Sequence, residues 1–395
     1  MNARERFQAI MRFEPFDRCL EWELGYWGGT VNRWYQEGLP RVHGLPRLPP
    51  IADCVFGEAQ PWRQAGPFMV DRDVAAFLGH DAGIQRMPIE AYVYPPFEVR
   101  ILEDHKDMQI LQDDQGIVKR MYKDERGMPE FVRHPVQSWA DWETLKAERL
   151  QPNLAERLPG EWPSLVEAYS HADYPLCLGS FPCGFYGTPR QLMGFEGLSI
   201  ALYEDRRLVG DMLNYLTDFW ISLYDQFLSA YSDRIQIDHA HIWEDMSFFS
   251  GPLISPALFR ELMLPCYKRL TGFFRDHGID IILVDTDGNC WELIPLFLEG
   301  GVTGVYPFEV AAGMDVVEVR EAYPRLQMLG GIDKRPLIAG DRAAIDAELR
   351  RVVQIVPQGG YVPYVDHNVP PDISWETFVY YRRRLHSLLT DGSDA

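Results

Sequence analysis

Carboxylates and imidazoles recur in this sequence at one kind of place, directly after short apolar runs of β character. Asp238, His239, His241, Glu244 and Asp245 follow residues 235–237, and Asp285 and Asp287 follow residues 279–284. Glu309 follows residues 302–306, Asp333 follows 326–329, and Asp366 and His367 follow 361–365. A single acid after a strand is ordinarily a helix cap, because its oxygens accept the free N–H groups of the first turn. Five strands in succession ending this way are more than capping explains. Parallel strands whose carboxyl ends converge on one pocket produce that pattern. Carboxylates crowded together repel, so some must hold their protons unless a cation or metal sits among them. His367 is the sharpest candidate, since an imidazole titrating near neutrality serves as acid, base, ion-pair partner or metal ligand. Its alternative is a hydrogen-bonded structural histidine. His239 and His241, two residues apart, share one strand face, which suits a metal; the alternative is one inward ring and one solvent-facing ring beyond the strand end.

The elements that must position these groups follow from periodicity. From residue 174 onward, short apolar runs alternate with longer stretches of helical spacing, which is the pattern of βα units. Leu213, Leu216, Trp220, Leu223 and Phe227 form one apolar stripe, Ser255 and Asp341 are placed as caps, and Gly300 with Gly301 ends a helix. Strands are expected at 175–178, 235–237, 279–284, 302–306, 326–329 and 361–365. Adding an early one at 19–24 and another near 68–78 reaches the eight of a (β/α)₈ TIM barrel. An open doubly wound sheet would want a Gly-rich dinucleotide turn after a strand, and no such motif is present. Residues 2–12 read as a short amphipathic helix. Alternating runs between 96 and 135 read as an antiparallel β insertion within a single barrel domain spanning 1–395.

Composition narrows the partners. Hydrophobic residues make up 46% and aromatics 13%, enough for a large core, and a net charge of −20 repels a phosphate backbone. No basic run exceeds Arg382, Arg383 and Arg384, so nucleic acid is not an expected partner. The longest uncharged stretch, 174–189, is broken by Pro175, Pro182 and Pro189, which argues against a membrane span. The residues after Met1 carry no apolar leader, and the expected location is the cytoplasm. The six cysteines lack a C-x-x-C pair and are expected to be reduced; Cys177 and Cys183 could share a metal, but buried free thiols are the commoner case.

Several segments together resemble the uroporphyrinogen decarboxylase superfamily: the opening residues 2–7, Glu14 to Arg18, Leu253 to Pro256, Leu264 to Tyr267, Gly330 to Lys334 and Asp366 to Pro371. The resemblance implies a (β/α)₈ barrel and a homodimer. It also implies one of two chemistries: metal-free decarboxylation of a carboxylic acid, or zinc-assisted methyl transfer with a corrinoid (methylcobamide) protein as partner. By this resemblance Asp81 and His367 match functional positions of the decarboxylases, while Phe195 replaces a tyrosine. The paired arginines that grip carboxylates are replaced by Glu21, Trp22 and Glu23, which should repel a polycarboxylate. The thiolate ligands of the corrinoid-linked enzymes are replaced by Asp285, Asp287 and His367. An oxygen/nitrogen zinc site at Asp285, Glu309 and His367 is then expected. Catalytic roles fall to His367, Asp287 and Asp81, and substrate contacts to Trp22, Tyr26, Trp27, Tyr186, Phe195, His241 and Glu244. The aromatic group Trp22, Tyr26, Trp27 and Trp34 could hold a cationic or aromatic methyl donor, or simply pack the core. Corrinoid-linked demethylation is the expected function, decarboxylation its alternative, and a non-catalytic ligand-binding barrel the third reading.

Overall fold

The structure, a computed structural model, describes residues 1–43, 72–123, 129–179 and 181–390. In chain order its strands are β1 (Gln85–Arg86), β2 (Arg100–Asp104), β3 (Met108–Gln112), β4 (Val118–Tyr122), β5 (Glu130–Arg133), β6 (Leu176–Leu178), β7 (His239–Trp243), β8 (Ser247–Phe248), β9 (Gly251–Pro252), β10 (Ile282–Asp285), β11 (Gly304–Tyr306), β12 (Gln327–Leu329) and β13 (Tyr361–Val362). Seven of them, β1-β6-β7-β10-β11-β12-β13, form one parallel sheet whose spatial order is their chain order. That order requires each connection to cross back over the sheet in the same sense, which curls it into a barrel. Strands β2 to β5 form a separate antiparallel sheet between Arg100 and Arg133, and β8 and β9 form a small hairpin.

The curl is completed without a ladder. Residues 19–25 run extended between the last strand and the first: the Asp81 amide donates to the Glu21 carbonyl at 2.9 Å and the Val369 amide to the Gly25 carbonyl at 2.9 Å. Glu23 accepts from the Val365 amide at 3.0 Å, the Tyr381 hydroxyl at 2.9 Å and Arg382 at 2.9 Å. Glu21 bonds His386 at 2.8 Å. Both acids are thus turned toward the helix Trp375–Thr390, not toward a pocket where they could repel a substrate.

The amino ends of the strands are stoppered. Asn2 and Glu5 make a capping box that starts the helix Ala3–Met11. Arg4 then pairs with Asp238 at 3.0 Å and Arg12 with Asp280 at 2.9 Å. Gln327 donates to the Met11 carbonyl at 2.7 Å, and the Gly360 amide to the Ile10 carbonyl at 2.6 Å. The Phe7 ring sits 5.1 Å from that of His239. Access to the interior is left to the carboxyl ends.

Three strand expectations need correction. The strand expected at 235–237 begins four residues later, because Asp238 is drawn to the stopper by Arg4 and accepts the Leu176 amide at 2.7 Å. Residues 19–24 make no strand ladder. Near 68–78 the described part is a helix, Arg72–Leu78, while 68–71 lie outside the described residues. The first strand is instead Gln85–Arg86, too short to give periodicity. Among the described residues no helix is long and apolar enough to cross a membrane.

Candidate active site

Because β7 starts at residue 239, His239 and His241 lie inside it, two apart, on the face that looks into the barrel; both are buried. Asp285 ends β10 and is in register with Trp243 on one side and Tyr306 on the other. Tyr306 ends β11, and its hydroxyl is hydrogen-bonded to His241 Nδ1. His241 Nε2 lies 3.9 Å from Asp285 Oδ2. Arg86, from β1, lies close enough for its charge to act on Tyr306, Cys177 and Asp285. Four strands therefore deliver one arginine, one tyrosine, one histidine and one aspartate to a single interior locus.

A second layer lies beyond the strand ends. His367 Nε2 is 3.3 Å from Asp287 Oδ1. Arg190 reaches back from the helix Gly187–Glu204 to pair with Asp245 and lies 5.1 Å over the Trp243 ring. Lys334 is 3.1 Å from Asp366, whose other oxygen accepts the Val310 amide at 3.1 Å. Glu309 accepts the Gly288 amide at 2.8 Å. His367 and Asp287 are thus paired, with Asp287 near enough to act on Asp285.

The electrostatics follow from this placement. Burial, reinforced by Asp287 and only partly offset by Arg86, pushes the Asp285 carboxyl up to about 8, so it keeps its proton at neutral pH. Burial raises Asp366 to about 6, with Lys334 opposing. Burial also works against ionisation of Asp287, but the His367 bond and charge outweigh it and hold that carboxyl below its usual range. The reciprocal holds for His367: burial would lower it, Asp287 overrides this, and the imidazole is favoured in its charged form. His241 is driven the other way, well below its usual value, by burial and then by Arg86. The mouth therefore holds a neutral acid and a neutral imidazole beside a committed ion pair.

Other expected site residues lie elsewhere or do other work. Glu244 is fully buried and accepts from the Phe185 amide at 2.8 Å, the Gly187 amide at 3.1 Å, the Tyr186 amide and the Tyr267 hydroxyl. It anchors the start of the helix Gly187–Glu204 rather than facing a substrate. That contact requires close backbone approach: a Cβ on Gly184 would stand 1.7 Å from the Trp243 carbonyl oxygen. Tyr186 is buried near Arg190 and Asp245, its phenol pushed by burial to about 12. Phe195 is 54% exposed, beyond a break at Gly194. Trp22 packs 6.2 Å from Phe7, and Tyr26 lies edge-on to Trp34 at 5.3 Å, so both serve the core. Trp27 is half-buried where the helix Gly28–Glu37 starts, its amide bonded to the Val369 carbonyl.

Asp81 precedes β1 and so lies at the stoppered end. Arg18 holds it through two bonds of 2.7 Å and Arg6 through one of 3.2 Å. Asp81→Asn should accordingly cost about 1–3 kcal/mol of stability with turnover unchanged; a loss of activity in a variant that melts normally would return Asp81 to the chemistry.

Among the described residues, no three His, Cys, Asp or Glu side chains are placed to hold a metal. The expected set of Asp285, Glu309 and His367 is not assembled, since Glu309 is engaged by Gly288 and His367 by Asp287. Sequence reasoning missed Arg86, Tyr306, Arg190 and Lys334. Only Tyr306 carried a signal, as the last residue of an expected strand neighbouring the one that ends in Asp285.

The family profile for uroporphyrinogen decarboxylase (URO-D) matches residues 106–387. No curated protein matches the chain.

Proposed function

Since the chain belongs to the uroporphyrinogen decarboxylase superfamily, whose members are enzymes on TIM barrels, we propose that this pocket decarboxylates a carboxylic acid by the acid–base chemistry of its own side chains. The observation that carries the reading is the interior cluster in which Asp285 lies 3.9 Å from His241 and within electrostatic reach of Arg86. A guanidinium binds a carboxylate by paired, charge-assisted bonds, and a buried carboxyl that keeps its proton does not repel that anion. The same proton is available for the carbon left behind when CO₂ departs. His367 and Asp287, already paired, carry no net charge into the mouth.

The grip is testable alone. Arg86→Met should raise KM for an acid substrate by about 100-fold or more, a loss in the range of a charge-assisted pair, while thermal stability changes little. An unchanged KM would remove Arg86 from substrate binding. The reaction itself is tested by CO₂ release from a panel of candidate acids.

One observation favours corrinoid-linked methyl transfer as the second reading. Asp287 raises Asp285, and such repulsion is relieved by a divalent ion as well as by a proton. Elemental analysis of purified protein separates the two. Stoichiometric zinc that disappears in His367→Ala supports methyl transfer, and CO₂ release by protein treated with a chelator supports decarboxylation.

A further inference from the structure

The polarity of the interior hydrogen bonds can be followed from one end to the other. Arg86 has only donors, and its charge acts on Tyr306. The Tyr306 hydroxyl is buried and has a single proton, which needs an acceptor; the atom it meets is His241 Nδ1. An imidazole that accepts at Nδ1 carries its proton on Nε2. Among the described residues, His241 Nε2 is buried without a hydrogen-bond partner. Its neighbour Asp285 Oδ2, at 3.9 Å, is beyond hydrogen-bond reach.

We propose that His241 presents Nε2–H as a fixed hydrogen-bond donor to an oxygen of the substrate, and that the ligand class of this pocket is a carboxylic acid with a carbonyl oxygen β to the carboxylate. The inference rests on the decarboxylation reading for the role of the carboxylate. The groups nearest this point offer donors: the Arg86 guanidinium, the His241 N–H and the proton of Asp285. A ligand whose own recognition group is an N–H, such as a pyrrole, would meet a donor at His241, where an oxygen acceptor is wanted. A β-oxo acid supplies two acceptors, a carboxylate for Arg86 and a carbonyl for His241.

The same arrangement writes the reaction. The bond between Cα and the carboxyl carbon breaks, its electron pair forms the carbon–carbon double bond of an enolate, and CO₂ leaves. The negative charge comes to rest on the former carbonyl oxygen, where the neutral imidazole donor holds it without first having to lose a proton of its own. Asp285 then gives its proton to Cα and regains one from water. Tyr306 is a positioning residue in this scheme, since it fixes which nitrogen of His241 carries the proton.

The experiment uses full-length protein with ¹⁵N-labelled histidine, and two acids of equal length and charge, acetoacetate and butyrate, which differ by one carbonyl. At neutral pH, His241 should show a protonated Nε2 and a bare Nδ1, and Tyr306→Phe should mix the tautomers. Acetoacetate should bind at least about 10-fold tighter than butyrate, as expected for one hydrogen bond in a buried site. That preference should vanish in His241→Phe and survive in part in His241→Gln, which keeps a donor. A proton on Nδ1 in the unmodified protein, or equal affinity for the two acids, absence of binding by both included, overturns the inference. Should His241→Phe fail to fold, the tautomer and His241→Gln still decide. If tautomer and preference hold but β-oxo acids release no CO₂, the assigned reaction fails while the donor role stands.

Discussion

Asp285→Asn is expected to slow turnover by about 10²–10⁴-fold, the range for loss of a general acid, and at the same time to make the protein more stable. Both effects have one origin. Burial and the neighbouring Asp287 hold the Asp285 proton up to about 8, against 3.8 for the ordinary carboxyl. Between those two values the folded protein keeps a proton that the unfolded chain releases. Stability is therefore fully present below about 3.8 and is lost as pH rises through about 8. Asparagine has no such titration, so the gain in melting temperature over the parent should be near zero at pH 4 and largest above pH 8. Activity of the parent should fall over the same alkaline limb, as the acid gives up its proton. A variant melting at the parent's temperature at pH 9 would show that Asp285 ionises without penalty, and the acid role would go with it.

Glu244→Ala is expected to cost about 3–5 kcal/mol, the largest stability loss we foresee from any single change at the mouth. It strips the acceptor from three backbone amides and the Tyr267 hydroxyl in a fully buried place. Burial raises the Glu244 carboxyl while its four donors oppose that shift. It also sits at the start of the helix Gly187–Glu204, where the exposed amides favour negative charge. Glu244→Gln keeps the shape and one acceptor oxygen and should recover part of the loss. Arg190 and Tyr186 ride on that helix start, so activity should fall with stability in the alanine variant. Calorimetry showing less than about 1 kcal/mol for the alanine change would mean that the amides find other acceptors and that Glu244 is free for a ligand.

The parts of the barrel that could be read from sequence are those where apolar runs are long enough to show a period. Ile282–Asp285 and the helix Arg206–Tyr231 are examples, the latter burying Leu213, Leu216, Trp220, Leu223 and Phe227. Gln85–Arg86 was invisible, being two residues long with polar side chains, and its partners lie 91 residues further along the chain, at Leu176 and Cys177. The site was legible to a similar degree. Acids at strand ends marked the mouth, yet spacing does not tell which carboxylate meets a ligand and which meets a backbone amide, and so Glu244 and Asp285 looked alike. Asp81 misled for a geometric reason: the same residue type ahead of a strand lies at the opposite end of the barrel. Arg86 left no trace because a lone arginine near an apolar stretch is ordinarily a surface residue, and only the curl of the sheet turns this one inward.

The helix Ala3–Met11 has a consequence for how the molecule comes into being. Its contacts include Asp238, Asp280, Gln327 and Gly360, so part of its surface is without partners until residues far along the chain have been made. Sequence separations of this size slow folding and leave apolar surface uncovered in the meantime. During synthesis Phe7, Ile10 and Met11, buried once the barrel has closed, are thus an uncovered apolar face until the later strands arrive.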